Sequence, residues 1–539
     1  MEQEFEMIAK TFMGLEDLLC GELNALGAKD VVKGCRVVSF RGDKEMMYRA
    51  NFSLRTAIRI LKPIKRFTAA SAEEVYDAIK EINWSEYIGE NKTFTVDSVV
   101  YSETFSNSRF VTYKVKDAIV DQFRERTGKR PAISVSDPDV RLNIHIHNED
   151  ATVSLDSSGE SLHRRGYRQE QVEAPLNEVL AAGMIMMTGW QGECDFYDPM
   201  CGSGTIPIEA AMIARNIAPG VFRKQYAFEK WADYDSELFD EIYNDDSQER
   251  EFTHHIYGYD IDFKAVNMAK NNVKAAGLSN DITIEQKDFR DFQSIEGRAV
   301  MVTNPPYGER ISTSNLMETY RMIGERLKHA FLGGEAWVLS YREECFQQIG
   351  LKPSLKVPLY NGSLECEYRK YAIFDGKLKE YRQEGGIVKT EEEKQKMAEK
   401  RRSWQKRDYE KRKEENESNE EADILGFRFR SLEKRDGDRF RRKSFDDRDS
   451  FDDRKPFGDR KPFRGDRTFN GDRPFKGDRP FNGDRPFKGD RSFNGDRPFK
   501  GDRSFNGDRP FKGGKPFKGD GQFKGGRPFK GGKPFRGDK

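Results

Sequence analysis

The chain has 539 residues, and its 93 Lys and Arg residues nearly balance 92 Asp and Glu residues, for a formal net charge of +1. This length leaves room for two or three domains. No run of eighteen apolar residues occurs, the first ten residues lack an apolar signal-peptide core, and the six cysteines show no CxxC spacing. These features argue against a membrane-spanning helix, a secretory leader and a zinc or disulfide framework, so we expect a cytoplasmic protein without a bound metal.

The first 160 residues predict small α+β modules. A short strand is expected over residues 5–12, followed by a helix over residues 13–26 whose leucines form one apolar stripe, at Leu15, Leu18, Leu19, Leu23 and Leu26. Alternating apolar and polar residues predict later strands at residues 93–100, 133–135, 141–147 and 151–155. His145 and His147 share one strand face, and we favour a structural or RNA-facing role for them over a metal site.

A basic turn connects these modules to the rest of the chain. It lies in the segment LDSSGESLHRRGYR, residues 155–168, and contains Arg164, Arg165 and Arg168. Three cations in so short a turn suit contact with phosphate groups. We therefore predict that these arginines bind substrate RNA.

A glycine-rich turn follows an apolar strand that ends at Asp198. The turn is Cys201-Gly202-Ser203-Gly204, and it opens a segment whose apolar residues recur at helical spacing. Such strand-to-helix turns form the ligand crevice at the carboxyl ends of strands in open α/β sheets. Glycine has no side chain to keep a ligand away from the backbone. We predict that Asp198 and the four turn residues bind a cofactor. A dinucleotide-binding fold is an alternative, because the same kind of turn occurs there.

Two acidic residues follow the next two predicted strands. Asp260 lies near the end of a strand expected over residues 255–262, where open α/β folds place an acid on ribose hydroxyls. Asp262 is interpreted as the N-cap of the next helix. Asp288 follows a strand at residues 282–286 and is predicted to accept a hydrogen bond from an adenine amino group, with a simple turn aspartate as the alternative.

The segment Asn304-Pro305-Pro306-Tyr307 follows a strand predicted over residues 299–303. Proline fixes φ and lacks an N–H donor, so the two prolines form a stiff turn with free carbonyls. Asn304 adds a side-chain carbonyl and Tyr307 adds a flat aromatic face, which suits an extruded nucleobase that carries an amino group. We predict that these four residues are catalytic and that Asn304 also borders the cofactor.

The last third of the chain supplies few core residues. Residues 377–425 are predicted to be a charged helical linker, and residues 426–539 a disordered basic tail of Gly, Asp, Arg and Phe repeats. Residues 470–539 hold nineteen Lys or Arg and nine Asp, a net charge of +10, with Phe at every sixth position from Phe475 to Phe535. Spaced aromatic rings among cations suit RNA. A solubilising or self-associating tail is the alternative.

The glycine-rich turn after Asp198 and the Asn304–Tyr307 segment resemble motifs I and IV of class I S-adenosylmethionine-dependent methyltransferases that modify exocyclic amines. From about Lys10 to Phe374 the chain resembles THUMP-domain RNA methyltransferases, in particular the methyltransferase half of the large-subunit rRNA methyltransferase L family. The segments that carry this resemblance are LDSSGESLHRRGYR (155–168), APLNEVLAAGMIMMTGW (174–190), DPMCGSGTIPIEAA (198–211), FEKW (228–231), GYDID (258–262) and NPPYGER (304–310).

The resemblance implies an α/β fold in three parts: a ferredoxin-like module at residues 1–50, a THUMP domain that binds RNA at residues 51–160, and a Rossmann-like methyltransferase domain at residues 161–376. The last strand of the methyltransferase sheet is antiparallel in this family. In this chain that strand is predicted as the second arm of a hairpin around Asn361-Gly362.

The resemblance also implies S-adenosylmethionine as the cofactor and methylation of the 2-amino group of a guanine in RNA, for which 23S ribosomal RNA is the favoured substrate. A guanine methyltransferase that acts on tRNA, a DNA adenine methyltransferase and a noncatalytic RNA-binding protein remain as alternatives. Some relatives carry a second fused methyltransferase for a ring nitrogen. The repeat tail stands in its place here, so we expect no second activity.

Overall fold

A computed structural model describes residues 3–89, 91–105, 107–308 and 313–376, with the isolated residues Gln395 and Ala398. Apart from those two positions, the predicted linker and repeat tail lie outside the described residues. So do Glu309 and Arg310 at the end of the NPPYGER segment. Among the helices in the described part of the chain, none is long and apolar enough to cross a bilayer.

The first half of the described chain forms one mixed sheet. Its strands in chain order are β1 (Phe5–Lys10), β2 (Lys29–Lys33), β3 (Val37–Gly42), β4 (Arg59–Thr68), β5 (Thr93–Tyr101), β6 (Ala132–Ile133), β7 (Val140–His147) and β8 (Asp150–Asp156). They lie in the order β2-β3-β1-β4-β8-β7-β5-β6. Strand β4 pairs with β1 near its start and with β8 over residues 61–68. The two expected N-terminal modules therefore share one continuous sheet.

Helices cover this first sheet. They are α1 (Glu16–Ala25), α2 (Lys44–Ser53), α3 (Ala72–Lys80) and α4 (Ser108–Thr127). Helix α1 begins three residues later than predicted, because Gly14 adopts a positive φ of 94° and its N–H is bonded to the Glu16 carboxylate instead. Three leucines of the predicted apolar stripe, Leu15, Leu19 and Leu23, are fully buried, and the other two, Leu18 and Leu26, are partly buried.

A second, seven-stranded sheet follows. Its strands are β9 (Asp195–Asp198), β10 (Ile256–Asp260), β11 (Ile282–Gln286), β12 (Ala299–Thr303), β13 (Glu335–Ser340), β14 (Leu355–Asn361) and β15 (Leu364–Ala372), in the order β11-β10-β9-β12-β13-β15-β14. The accompanying helices are α5 (Glu178–Thr188), α6 (Thr205–Ala214), α7 (Ser236–Asn244), α8 (Phe263–Ala275), α9 (Thr313–Ala330) and α10 (Glu343–Ile349). Five strands run parallel and β15 runs antiparallel to β13, which confirms the predicted Rossmann-like sheet and its terminal hairpin.

The apolar runs and the turn residues predicted the bounds of two strands of the second sheet correctly. Strands β11 and β12 cover the residues predicted for them. Strand β10 is shorter than predicted because Asp262 turns out of it to cap α8, where its carboxylate accepts a hydrogen bond from the Lys264 N–H at 3.0 Å. In place of the strand expected at residues 133–135, the structure has the two-residue edge strand β6 at Ala132–Ile133, which shares only residue 133 with the prediction.

The order of the parallel strands determines where a ligand can bind. Strand β9 lies in the middle, with β10 on one side and β12 on the other, and the three strands are parallel. The chain therefore leaves β9 in one direction and later returns on its opposite side. At such a switch point the loops after the strands diverge and open a crevice at the carboxyl ends. All ten residues of α6, which follows β9, are buried, so this helix is a fixed wall behind the crevice.

Candidate active site

Three neighbouring strands deliver the candidate residues to one place. Strand β9 ends at Asp198, β10 ends at Asp260, and β12 ends at Thr303, directly before Asn304. A cavity of about 690 Å³, here called the strand-end cavity, opens at these ends. Its lining includes all but one of the residues predicted for the cofactor and for catalysis: Asp198, Cys201, Gly202, Ser203, Asp260, Asp288, Asn304, Pro305, Pro306 and Tyr307. Gly204 is the exception.

The glycine turn depends on backbone conformations that glycine adopts readily. Gly202 has φ 54° and Gly204 has φ 84°, in the left-handed region that L side chains rarely adopt. A Cβ at Gly204 would also lie 3.2 Å from the Cβ of Ala269 on α8. The structure thus gives Gly204 a packing position behind the strand-end cavity, while the backbone of Gly202 faces it.

Asp260 is held in position by the turn that it faces. Its Oδ2 accepts a hydrogen bond from the Gly202 N–H at 2.9 Å, and its Oδ1 accepts one from the Asp262 N–H at 2.9 Å. Each carboxylate oxygen has a second lone pair, so both can also accept from ligand hydroxyls. Burial raises the pKa of this carboxyl above its ordinary value. The neighbouring Ile261 also lines the cavity and is 68% exposed, an apolar surface that our sequence reasoning did not single out.

Asp198 and Cys201 form the floor beneath the turn. Both are buried. Burial raises the pKa of the Asp198 carboxyl to about 8. Burial also raises the pKa of the Cys201 thiol well above its ordinary value, which removes it as a nucleophile. The Cys201 N–H donates to the Tyr259 carbonyl at 2.8 Å and ties the turn to β10.

Asp288 is a turn aspartate that also lies in the lining of the strand-end cavity. Its Oδ1 accepts a hydrogen bond from the Arg290 N–H at 2.9 Å, as a turn aspartate does. It also lines the strand-end cavity next to Phe289. A carboxylate with one oxygen in the turn keeps lone pairs for a ligand amino group, so its assignment to the cofactor remains a prediction.

The Asn304–Tyr307 turn closes the opposite side of the cavity. The Tyr307 hydroxyl donates a hydrogen bond to the side-chain oxygen of Asn304. The ring of Tyr307 meets Tyr341 edge-on, with centroids 5.4 Å apart. Pro305 is buried and Pro306 is exposed. The turn therefore brings an amide, two prolines and an aromatic ring to the lining of one cavity. The Pro306 carbonyl also accepts a hydrogen bond from the Tyr320 hydroxyl at 3.5 Å.

The three arginines of the basic turn do not act together. Arg164 is exposed, and its guanidinium pairs with Glu160. Arg165 corrects the prediction: its side chain is only 1% exposed, and it donates to the Leu162 and Arg55 carbonyls beside Glu209, so no phosphate can reach it. The sequence could not show this, since the Glu209 partner lies 44 residues away.

Arg168 supports the glycine turn through hydrogen bonds to Ser203 and Thr205. Its guanidinium donates to four acceptors, the Glu178 carboxylate, the Leu176 carbonyl and the hydroxyls of Ser203 and Thr205. A guanidinium has five N–H groups, so at most one remains for a ligand. The structure thus gives Arg168 a positioning role for the glycine turn, and an RNA contact through its remaining N–H stays a prediction. The hydrogen bond to Ser203 also turns the Ser203 hydroxyl toward Arg168.

Asn272 is a positioning residue that our sequence reasoning missed. It lies on α8, is 1% exposed, and makes four hydrogen bonds. Its Oδ1 accepts from the Gln169 and Glu170 N–H groups, and its Nδ2 donates to the Glu170 and Ser203 carbonyls, over 2.8–3.1 Å. The amide thus joins the segment before α5 to the glycine turn. Its only sequence signal is a polar residue at a core-facing helical position.

Three domain families match consecutive parts of the chain. The RlmL ferredoxin-like domain matches residues 6–61, the THUMP domain matches residues 69–156, and the RMKL-like methyltransferase domain matches residues 165–370. The last of these contains the strand-end cavity and the two turns that enclose it.

Comparisons with individual proteins also find methyltransferases. Ribosomal RNA large subunit methyltransferase K/L of Syntrophotalea carbinolica is 39% identical over 387 residues, or 69% of this chain and 54% of that protein. "Putative RNA methyltransferase slr0064" of Synechocystis sp. is 36% identical over 364 residues, or 67% of this chain and 95% of that protein. The crystal structure of SMU.472 complexed with SAH is 30% identical with a TM-score of 0.63, and the match covers 70% of this chain and 100% of that one.

The chain spans about half the length of the K/L relatives that it matches, but nearly all of the Synechocystis relative. Three matched domains in this order, together with that relative, establish the family. The chain belongs to the RMKL-like methyltransferases that carry a THUMP domain and an RlmL ferredoxin-like domain.

Proposed function

We propose that this chain transfers a methyl group from S-adenosylmethionine to the 2-amino group of a guanine in large-subunit ribosomal RNA. The observation that carries the proposal is the pairing of the two turns across one cavity. The Asp260-anchored glycine turn lies on one side, and the Asn304–Tyr307 turn lies on the other. One turn suits a nucleoside cofactor, and the other suits an amino group on a base.

The residues of the strand-end cavity fit the cofactor. Asp260 has lone pairs for two ribose hydroxyls, Ile261 offers an exposed apolar surface for adenine, and Asp288 offers an acceptor for the adenine amino group. The backbone of Gly202 leaves room beside them. When bound, S-adenosylmethionine supplies a methyl group on a sulfonium, which needs no further activation.

The chain's own contribution to transfer is orientation. A guanine amino group is a poor nucleophile because its lone pair is delocalised into the ring. Asn304 Oδ1 and the Pro305 carbonyl accept the two amino hydrogens, which aims the nitrogen lone pair at the methyl group as the new N–C bond forms and the S–C bond breaks. Tyr307 stacks on the base and holds its plane. The surplus proton leaves to water after transfer.

No covalent enzyme intermediate enters this proposal. Attack on a ring carbon through cysteine needs a thiolate beside the base. Cys201 is the cysteine that lines the strand-end cavity among the described residues, and burial raises the pKa of its thiol. An exocyclic amine carries its own lone pair and needs no such nucleophile.

The assignment to RNA, and to ribosomal RNA within it, rests on the THUMP domain match and on the K/L relatives. It is tested by incubating the full-length protein with methyl-labelled S-adenosylmethionine and, in separate reactions, unmodified large-subunit rRNA, a tRNA pool and duplex DNA. We expect label in the rRNA alone. Label in tRNA would replace the substrate, and label in DNA would overturn the assignment to RNA.

A further inference from the structure

A second large cavity shares no lining residue with the strand-end cavity, and six of its eighteen lining residues are Lys or Arg. It has a volume of about 660 Å³ and is here called the basic cavity. The β4 and β7 strands, the segment after β8 and the loop before α7 all contribute to it. Its charged lining comprises six cations and two carboxylates, Arg59, Arg141, Arg164, Arg223, Lys224, Lys230, Asp137 and Glu160.

Three of the four guanidinium groups of this cavity are fixed in place. Arg223 donates to four backbone carbonyls, those of Ser158, Glu160, Ser161 and Arg164, over 2.8–3.4 Å. Arg59 pairs with the buried Asp156, and Arg141 pairs with Asp97 at 2.9 Å. These three groups hold the wall of the basic cavity in shape, whereas Arg164 and Lys224 are exposed.

Four of the six cations are ion-paired: Arg59 and Arg141 as above, Lys230 with Asp137, and Arg164 with Glu160. The surplus positive charge therefore comes from Arg223 and Lys224. Lys224 is exposed and forms no ion pair with the residues that the structure describes. His163 also lines the cavity, and burial together with the nearby arginines lowers its pKa to about 4, so it adds no charge at neutral pH. The basic cavity therefore has an exposed cation available for an anionic ligand.

One short segment lines both cavities. Gly159, Ser161 and Gly166 line the basic cavity. Arg168 then donates to the glycine turn, and Val172 to Leu176 supply part of the strand-end cavity.

Close backbone contacts hold this segment rigidly. A Cβ at Gly166 would lie 2.2 Å from the Phe222 carbonyl oxygen, and one at Gly159 would lie 3.2 Å from Ala227. The glycines let the segment and the loop that carries Arg223 and Lys224 approach each other. A ligand in the basic cavity would thus be held at a set distance from the methyl-transfer site.

We propose that the basic cavity binds backbone phosphates of the substrate RNA and so sets which nucleotide reaches the Asn304–Tyr307 turn. This inference rests on the proposed function for the identity of its ligand. It assigns phosphate contact to Lys224 and Arg164, which both line the basic cavity, and it places Glu160 as a carboxylate that opposes binding.

Two single substitutions with opposite expected signs test the proposal. Lys224→Gln removes one phosphate contact, so RNA affinity falls roughly three- to tenfold and the slope of log affinity against log salt becomes shallower by about 0.7 to 0.9. Glu160→Gln keeps the side-chain shape and removes a negative charge, so affinity rises about two- to threefold. Lys352→Gln removes an exposed lysine that does not line the basic cavity and serves as the matched control.

The probe is an unmodified transcript of large-subunit rRNA, titrated against full-length protein by filter binding at several salt concentrations. SAH affinity by calorimetry, unchanged in all three variants, shows that they are folded. If Lys224→Gln and Glu160→Gln bind RNA like the wild type, or if Lys352→Gln has the same effect as Lys224→Gln, the basic cavity is not a phosphate site.

Methyl transfer by the wild type in the same samples separates this proposal from the proposed function. If the wild type methylates the transcript but the variants do not change RNA affinity, only the phosphate site is wrong. If the variants change RNA affinity as expected but the wild type does not methylate the transcript, the proposed function is wrong and the phosphate site is retained.

Discussion

The Tyr307 hydroxyl donates its hydrogen bond to the side-chain oxygen of Asn304, the atom to which we assign the guanine amino group. The protein thus satisfies this acceptor internally when no base is present. In the proposed mechanism the guanine amino group would replace the Tyr307 hydroxyl as the donor to Asn304. Such an exchange of one hydrogen bond for another costs little net free energy.

The two functions of Tyr307 are separable by substitution. Tyr307→Phe keeps the aromatic face and removes only the hydroxyl, so single-turnover methyl transfer at saturating RNA should stay within about threefold of wild type. Tyr307→Ala also removes stacking worth about 1 to 3 kcal/mol and should slow transfer by about 10- to 100-fold. If the phenylalanine variant is as slow as the alanine variant, the hydroxyl acts in transfer and the stacking assignment is wrong.

Asn304 should act on transfer and not on cofactor binding. Asn304→Ala removes an acceptor that orients the amine, and a loss of this kind costs on the order of 10²-fold in rate. SAH affinity by calorimetry should remain close to wild type. Asn271→Ala is the control, since that exposed amide bonds to Glu170 and does not line the strand-end cavity. A variant Asn304→Ala that transfers methyl at the wild-type rate would remove Asn304 from the mechanism.

Two aspartates two residues apart offer a matched test of the ribose assignment. Asp260→Asn replaces an oxygen that accepts a backbone hydrogen bond by an amide NH₂, and we expect SAH affinity to fall by about 10- to 100-fold. Asp262→Asn retains an N-cap, since Asn and Asp cap helices equally well, and should bind SAH normally. Equal affinity in both variants would show that Asp260 does not contact the cofactor.

Asn272 should matter for stability and cofactor binding together. Asn272→Leu fills a similar volume but leaves two N–H groups and two carbonyls without their partner. We expect a loss of about 2 to 4 kcal/mol in the free energy of unfolding, and weaker SAH binding because the glycine turn is no longer held. Urea denaturation with and without SAH measures both effects. Unchanged stability would mean that the four hydrogen bonds are replaced by water.

Features encoded by neighbouring residues could be predicted from the sequence. Strands β11 and β12, the Asp262 cap and the hairpin around Asn361 each depend on a short run of apolar residues or on one turn. They were correctly predicted because periodicity and turn chemistry act over a few positions.

Contacts between distant segments could not be predicted in this way. The sequence suggested an exposed Arg165, whereas in the structure its guanidinium is buried against Glu209 and the Arg55 carbonyl. Asn272 lies about 100 residues from the Gln169 and Glu170 N–H groups that it accepts. The continuous N-terminal sheet likewise depends on β4 reaching both β1 and β8. No local pattern records which distant group will satisfy a polar side chain.

The central claim, methyl transfer to a guanine 2-amino group, is tested most directly by identifying the modified nucleoside. The full-length protein is incubated with methyl-labelled S-adenosylmethionine and unmodified large-subunit rRNA, and the RNA is digested and resolved by liquid chromatography and mass spectrometry. The account predicts label in N2-methylguanosine, present with the wild type and strongly reduced with Asn304→Ala. Label in N6-methyladenosine, in a ring-nitrogen-methylated or carbon-methylated nucleoside, or in no nucleoside at all, would contradict it.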